Sequence, residues 1–180
     1  GGEVAGNVGC GMSVATASGS RLSLAVPGSG GGAACYETPD LSPDGGLVVF
    51  VRDQTHSSNA DLWWMDGGRS ESRQLTNTPL LSESVPRFSP DGARIAWLSV
   101  ASSSARSLWV YEIASGVTSE FPLVSDARGG LDWLDNDRVA FFANSRSDHT
   151  LASPRWRYIT GWPGLGTGRT TDTGVTCPYE

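Results

Sequence analysis

The sequence contains no lysine and no long apolar run, and each absence argues against a class of protein. All 13 basic residues are arginines, as a GC-rich coding sequence produces; selection for bidentate arginine–carboxylate contacts is the alternative. The net charge is −6, whereas a surface for nucleic acid needs clustered positive charge. No apolar stretch reaches the length of about 18 residues that a membrane helix requires. The sequence therefore predicts no nucleic-acid partner and no membrane span.

Cysteine is scarce, with Cys10, Cys35 and Cys177 lying toward the two ends of the chain. None has the close spacing of a zinc or iron–sulfur site, and no cofactor is expected. In an oxidising compartment, two of them would form a disulfide and leave one thiol, or one would bond to another chain. Buried, reduced cysteines are the alternative. The sequence thus leaves the pairing open.

What the chain does have is a repeated pattern. The motif around Asp44 and Gly45 returns 47 residues later around Asp91 and Gly92, and each copy precedes an apolar run. A Leu-Trp motif follows both, at Trp63 and then 46 residues later at Trp109. The two pairs of motifs are Leu41-Ser42-Pro43-Asp44-Gly45 with Phe88-Ser89-Pro90-Asp91-Gly92, and Asp61-Leu62-Trp63-Trp64 with Ser107-Leu108-Trp109-Val110. Repetition at this period indicates a propeller or a solenoid.

The repeated turn explains the local structure. In Ser-Pro-Asp-Gly the proline fixes φ, the aspartate caps the turn, and Gly45 or Gly92 takes a positive φ. The turn joins two antiparallel strands, and the β-branched and aromatic run at 47–52 is typical of a strand covered on both faces. Further strands are predicted at 62–65 and 73–76. Together with 23 glycines and 10 prolines, this predicts an all-β fold of four-stranded antiparallel blades.

The repeat sets the expected organisation. We expect one domain over residues 1–180, with blades at 36–82 and 83–127, a divergent blade and C-terminal tail at 128–180, and a degenerate unit or arm at 1–34. The first strand of the 83–127 blade is predicted at 86–88, and residues 161–174 are expected to be a loop. About four units fit the chain. Whether they close into a ring, or form an open array that associates head to tail, is left open.

The motifs resemble a known family of repeats. The series Phe-Ser-Pro-Asp-Gly, Ile95-Ala96-Trp97, Leu-Trp-Val and Arg73-Gln74-Leu75-Thr76 is similar to the propeller repeat of TolB-type proteins and of the N-terminal propeller of prolyl-oligopeptidase relatives. The resemblance covers about residues 38–144. It implies a β-propeller, and it implies a structural role for the repeated aspartates and tryptophans, so none of them is expected to be catalytic.

No catalytic constellation is evident. A nucleophile elbow needs Gly-x-Ser-x-Gly, and the nearest match, around Ser13, lacks the last glycine and a strand-to-helix context. His56 and His149 stand in polar loops without a third partner and are interpreted as solvated. The carboxylates of Asp132, Asp135 and Asp137 suggest calcium, but the spacing lacks the distal glutamate of a calcium loop. Turn-capping carboxylates are the preferred interpretation, and no metal site or catalytic function is expected.

Seven tryptophans are many for this length, and they divide into two groups. Those at repeated strand positions are interpreted as packing between blades. Trp64, in the opposite strand phase to Trp63, and the segment rich in Trp, Tyr and Arg near residue 156 are candidates for a contact surface, with edge-strand packing as the alternative. The candidate interface residues are Trp64, Arg155, Trp156, Tyr158 and Trp162.

Function is predicted from these features together. We expect a non-catalytic, extracytoplasmic module that binds a protein, a peptide or a glycan through loops at one rim, or that assembles with itself head to tail. One alternative is the substrate-gating propeller of a prolyl-oligopeptidase-like serine peptidase. The other is an extracellular filament or structural subunit.

Overall fold

A computed structural model shows a chain built of β-strands. It describes the backbone of residues 4–8, 11–15, 21–24, 35–53, 59–66, 72–123, 126–144, 155–160 and 169–176, and the side chains of residues 35–53, 59–66, 72–123 and 130–141. The strands are β1 (Val4–Val8), β2 (Gly11–Ala15), β3 (Arg21–Leu24), β4 (Cys35–Leu41), β5 (Leu47–Asp53), β6 (Ala60–Asp66), β7 (Ser72–Gln74), β8 (Leu81–Phe88), β9 (Arg94–Ala101), β10 (Arg106–Glu112), β11 (Val117–Leu123), β12 (Asp126–Asp135), β13 (Arg138–Asn144), β14 (Arg155–Thr160) and β15 (Arg169–Thr176). Within these ranges, no helix has the length and apolarity to cross a membrane.

The strands form four sheets in chain order. The first sheet contains β1–β3, and the second (β4–β7), third (β8–β11) and fourth (β12–β15) sheets contain four strands each. Within each sheet, every strand pairs antiparallel with the next one along the chain. The predicted all-β fold of four-stranded antiparallel units is therefore confirmed.

Equivalent residues occupy equivalent registers in the second and third sheets. Trp63 lies opposite Phe50, and Trp109 lies opposite Trp97, so each Leu-Trp motif places an indole beside an aromatic residue of the preceding strand. The Trp97 and Trp109 rings stack with centroids 6.2 Å apart. Because large rings recur at one position of the repeat, successive sheets present similar surfaces to one another.

The sheets pack face to face around their first strands. β1 lies against β4, β4 against β8, and β8 against β12, so the first strand of each sheet is the inner one. We call the face of a sheet that looks toward the next sheet its forward face, and the opposite one its rear face. Forward residues of the second sheet, such as Val49 and Leu62, share a buried cluster with Ile95 and Trp97 on the rear of the third sheet. Burial of these apolar faces stabilises the array, since a single sheet has no core of its own.

The next pair of sheets repeats this packing. Ala96, Leu98, Leu108 and Val110 on the forward face of the third sheet form a cluster with the rear face of the fourth, whose members are Leu131, Trp133, Val139 and Phe141. The rear face of the second sheet carries a third cluster around Tyr36 and Phe50. Successive sheets are therefore joined by one kind of interface.

Some strand bounds differ from the sequence prediction. The prediction of a loop over 161–174 is wrong from residue 169 onward, because β15 begins there. Its threonines, aspartate and glycine resemble a loop, but pairing with β14 gives the segment strand structure. β8 begins at Leu81, five residues before the predicted start, because its first half pairs with the end of β9.

Candidate functional site

The repeated turns lie at one end of the inner strands. In the first turn, Asp44 Oδ1 accepts hydrogen bonds from Ser42 Oγ at 2.6 Å and from the Gly46 amide at 3.0 Å, and Gly45 has a φ of 73°. In the second, Asp91 Oδ1 accepts from Ser89 Oγ at 2.5 Å and from the Ala93 amide at 3.0 Å, and Gly92 has a φ of 70°. The structure thus places a capped tight turn at both copies of the motif.

A shorter turn takes the same place in the fourth sheet. Asp135 Oδ1 accepts from the Asp137 amide at 2.9 Å, and its other oxygen bonds to Arg138. These bonds hold the pKa of Asp135 below its usual value. The carboxylate is therefore used as a turn cap, and in the described ranges no three ligand-type side chains gather around a common point.

The three turns touch one another in sequence. A Cβ on Gly92 would lie 3.3 Å from Pro43 Cδ of the preceding turn. On its other side, the Asp91 amide donates to Asn136 Oδ1 at 3.0 Å, and the Arg94 guanidinium donates to the Asn136 carbonyl at 2.5 Å. The turns therefore form a continuous rim, which we call the turn rim.

Just before the turn rim, the inner strands carry three bulges in phase. Thr38, Val85 and Gly130 have φ values of 46°, 46° and 59°, and the pairing register shifts at each of these places. A positive φ is costly for a β-branched residue such as Val85. Because the positive φ recurs at equivalent positions, the bulges are a regular feature of the inner strands and not a local defect.

Two residues after each bulge stands a charged side chain, and we call Asp40, Arg87 and Asp132 the axial triplet. Asp40 Oδ2 accepts a hydrogen bond from the Phe88 amide of the next sheet at 2.7 Å. Burial raises the pKa of Asp40, and the bond from Phe88 and the Arg87 charge oppose that rise only in part. Arg87 is half-buried and Asp132 is exposed. The triplet therefore places one arginine and two aspartates on the inner strands of three adjacent sheets, and the Arg87 guanidinium itself donates to the Pro86 carbonyl at 2.8 Å.

A second polar group lies toward the other end of the sheets. Glu83 is 3% exposed, and its carboxylate accepts hydrogen bonds from Thr76 Oγ1, from Thr78 Oγ1 at 3.0 Å and from the Leu62 amide at 3.1 Å. Burial raises the pKa of Glu83 despite these donors. Because the carboxylate belongs to β8 and its donors to the second sheet and the connection after it, this network fastens two sheets together.

The predicted interface residues fall in different places. Trp64 is half-buried on the forward face of the second sheet and meets Tyr111 of the third edge-to-face, with centroids 6.4 Å apart. It therefore contributes to packing between sheets, and its role in a contact surface stays a prediction. Arg155, Trp156 and Tyr158 lie in β14, where Trp156 pairs with Phe142 and Tyr158 with Ala140. Trp162 lies outside the described residues.

The remaining candidates have the following positions. Ser13 lies inside β2, between β1 and β3, which is a strand and not a nucleophile elbow. Cys35 is the first residue of β4. Cys10, Cys177, His56 and His149 lie outside the described residues, so the disulfide stays a prediction.

The axial triplet and the Glu83 network are not among the features predicted from the sequence. A signal for the triplet was present, since Thr38-Pro39-Asp40 and Val85-Pro86-Arg87 precede the two turn motifs at the same distance. Proline before a charged residue marks an irregular strand end. The Glu83 network has no such signal, because its donors come from separate segments brought together by packing.

No protein-family model matches the sequence, and no curated protein is detectably similar to it. Solved propellers are similar in structure. The β-propeller domain of the Trilobed protease from Pyrococcus furiosus has a TM-score of 0.61 and 13% identity, over 93% of this chain and 49% of that one. TolB from Acinetobacter baumannii has a TM-score of 0.60 and 17% identity, over 90% and 37%.

A third similar structure is an oligogalacturonate lyase in complex with manganese, with a TM-score of 0.63 and 16% identity over 87% of this chain and 42% of that one. An acylaminoacyl peptidase from Pyrococcus horikoshii is also similar, with a TM-score of 0.57 and 13% identity over 92% and 28%. The chain spans less than half the length of these four structures. Identities this low establish the fold alone. The chain thus has the four-stranded blade fold of TolB-like and prolyl-oligopeptidase-type β-propellers.

Proposed function

We propose that this chain is a non-catalytic, extracytoplasmic binding module that holds a peptide segment of another protein at the axial triplet. One observation carries the proposal. Asp40, Arg87 and Asp132 occupy equivalent positions, just after the bulges of three neighbouring inner strands, and all three lie beside the turn rim. Ligand sites commonly contain a small number of precisely placed polar groups that fix the orientation of the ligand.

The charges of the triplet favour a peptide. The exposed carboxylate of Asp132 is suited to an ammonium or guanidinium group, and the guanidinium of Arg87 is suited to a carboxylate or a backbone carbonyl. A peptide carries groups of both kinds at a short spacing. One oxygen of Asp40 accepts a hydrogen bond from the Phe88 amide, and this bond joins the inner strands of the second and third sheets. Asp40 therefore helps to hold the triplet in position and also adds a negative charge to it.

The test is a selection of random hexapeptides on the immobilised chain, followed by titration of the enriched peptides against variants. Asp132→Asn and Arg87→Gln should each weaken binding about tenfold, which corresponds to one charge-assisted hydrogen bond. Glu120→Gln is the matched control, because Glu120 is an exposed carboxylate on β11, far from the triplet in the fold. Peptides that bind all three variants equally would contradict the proposal.

A second candidate is the substrate-gating propeller of a serine peptidase, and the similarity to peptidase propellers favours it. Sequencing the genomic region downstream for a Gly-x-Ser-x-Gly domain tests this candidate, and an immediate stop codon after Glu180 would exclude it. Labelling of the chain itself by a fluorophosphonate, which reacts with activated serines, tests the non-catalytic part of the proposal. We expect no labelling.

The extracytoplasmic setting rests on the cysteines, since disulfides persist in oxidising compartments. Counting free thiols in protein isolated under native conditions tests it. One or no reactive thiol per chain is the expected result, and three would contradict the setting.

A further inference from the structure

Two buried carboxylates, which we call the buried pair, lie where the second sheet meets the third. Glu83 of β8 is 3% exposed, and Asp61 of β6 is 9% exposed. Thr78 joins them, because its hydroxyl donates to Glu83 Oε1 at 3.0 Å and its amide donates to Asp61 Oδ1 at 3.2 Å. One threonine of the connection between the two sheets therefore holds two acidic side chains close together inside the fold.

The other hydrogen-bond partners of the buried pair are neutral. Glu83 also accepts from Thr76 Oγ1 and from the Leu62 amide, and Asp61 Oδ2 accepts from Gln74 Nε2 at 3.0 Å. Neither carboxylate forms an ion pair with an arginine among the side chains that the structure describes. A buried charge is costly unless an opposite charge pairs with it. Ionisation of both carboxylates therefore opposes the packing of the two sheets.

Charged side chains on the surrounding strands do not neutralise the buried pair. On the forward face of the second sheet, Glu37 and Asp53 are acidic, and Arg73 is exposed on the outermost strand, β7. Arg52 lies opposite Asp61, but its guanidinium lies over an indole ring, 4.6 Å from the centroid. The pair therefore has a surplus of negative charge around it in the described part of the chain.

The charge of Asp61 acts on Glu83 in the same direction as burial does. Burial raises the pKa of Glu83, and the negative charge of Asp61 raises it further, whereas the hydrogen bonds to Glu83 lower it only in part. In its own sheet, Glu83 lies opposite the neutral Ser99 of β9. The stabilising contribution of Glu83 is therefore fully present below pH 4.5 and is lost as the pH rises through the folded-state pKa.

We propose that the buried pair is a proton-operated switch, which keeps the connecting segment at 75–80 closed while Glu83 is protonated and lets it open locally when both carboxylates are ionised. The segment depends on the pair, since Thr76 and Thr78 bind to it and the Leu81 amide donates to the Thr78 carbonyl at 2.9 Å. The proton comes from the solvent and returns to it. This switch does not depend on the proposed peptide binding.

The threonines allow hydrogen bonding in both states of the switch. A threonine hydroxyl both donates and accepts, so the protonated carboxyl of Glu83 can donate to the hydroxyl of Thr76 or Thr78. The Leu62 amide can only donate, and it keeps Thr76 Oγ1 as an acceptor at 2.9 Å. Protonation thus removes a buried charge and leaves no polar group of the network unpaired, which makes the change reversible at low cost.

Amide hydrogen exchange followed by NMR from about pH 5 to about pH 8 tests the proposal. Protection factors compare each measured rate with the intrinsic rate at the same pH, and they report the opening equilibrium. We expect the Leu62, Thr78 and Leu81 amides to lose protection about tenfold per pH unit, up to the folded-state pKa of Glu83. Low concentrations of urea should leave these rates unchanged, because a local opening exposes little new surface.

Three variants assign the effect to the buried pair. Glu83→Gln should make the protection of the three amides independent of pH, because glutamine does not ionise. Asp61→Asn should reduce the total loss of protection, because it removes a neighbouring negative charge and keeps an oxygen for the Thr78 amide. Glu120→Gln is the matched control and should behave as the parent, because Glu120 accepts a hydrogen bond from Ser107 Oγ at 2.6 Å but is exposed.

The outcomes separate a switch from other causes. A loss of protection in the parent that Glu83→Gln abolishes and Glu120→Gln retains supports the proposal. Protection that is constant with pH in the parent overturns it, and so does an equal loss in Glu83→Gln. Exchange at the three amides that rises with urea as steeply as exchange in β10 also overturns it, since the chain would then open by global unfolding.

Discussion

Single aspartates decide the shape of the turn rim. Asp44 and Asp91 each bind a serine hydroxyl and an amide two residues on. Those bonds hold the pKa of Asp44 below its usual value. At Asp91 partial burial raises the pKa, but the hydrogen bonds from Ser89 and Ala93 outweigh it, so the pKa of Asp91 also lies below its usual value. Each carboxylate therefore stabilises the fold while it is ionised, and this contribution is lost as the pH falls toward and below the ordinary aspartate range.

Gly92→Ala should cost more stability than Gly45→Ala. Both glycines have a positive φ, which costs an alanine about 1 kcal/mol. Only at Gly92 does the added Cβ also meet Pro43 of the neighbouring turn, at 3.3 Å. The free energies of unfolding in urea measure the difference. Equal losses would show that the two turns do not press on each other.

Glu83→Gln should change how stability depends on pH. Burial raises the pKa of Glu83 above 4.5, so the fold favours the neutral carboxyl. Its contribution is then fully present below pH 4.5 and is lost as the pH rises through the folded-state pKa. Glutamine cannot ionise, so the variant does not lose this contribution. Between pH 4 and pH 8 the unfolding free energy of the parent should therefore fall relative to that of the variant. A difference that is constant over this range would contradict the assignment.

The sequence predicts local features of this molecule well and packing features poorly. Asp44, Gly45, Asp91 and Gly92 form the turns that their motif specifies, because a turn depends on the few residues within it. Strand phase marks Trp64 as a candidate contact residue, but it does not predict that this phase faces the next sheet of the same chain, where Trp64 meets Tyr111. Which face is covered depends on where the following sheet lies, and no single strand contains that information.

At the scale of elements, two equivalent tryptophans have different environments. Trp109 Nε1 donates to the buried Ser99 Oγ at 2.8 Å. Trp63 Nε1 is buried without a hydrogen-bond partner, and the Arg52 guanidinium lies 4.6 Å from the ring centroid. The register is the same in both sheets, so the repeat conserves position and the neighbouring residues set the polar contacts.

A double-mutant cycle on Trp109→Phe and Ser99→Ala should reveal this contact. Each single change leaves a buried polar group unsatisfied, at a cost of about 1–3 kcal/mol, and the double variant should lose less than the sum, with a coupling of about 1 kcal/mol. Trp63→Phe is the control, because it removes a donor that has no partner. Its loss of unfolding free energy should be the smaller of the two Trp→Phe losses. Additive effects within the cycle would contradict the hydrogen bond.

At the scale of the whole molecule, the sheets depend on their neighbours. Each interface between sheets is made by forward and rear residues, as between Val49 and Ile95 or between Ala96 and Val139. Stability in such an array is close to a sum over neighbouring pairs. A cavity in a middle sheet should therefore weaken the sheets on both of its sides, and a cavity in the last sheet only one.

Ile95→Ala and Val139→Ala test this dependence, because the two residues occupy equivalent positions and both are fully buried. Ile95 packs against the second sheet, and its loss should cost about 2–4 kcal/mol. Hydrogen exchange read by mass spectrometry should then show lower protection in β4–β6 and in β12–β13, on either side of the third sheet. Val139→Ala should lower protection in β8–β10 and β12–β13 and leave β4–β6 nearly unchanged. Equal loss over all strands in both variants would mean that the chain unfolds as one cooperative unit, and the description by neighbouring pairs would be wrong.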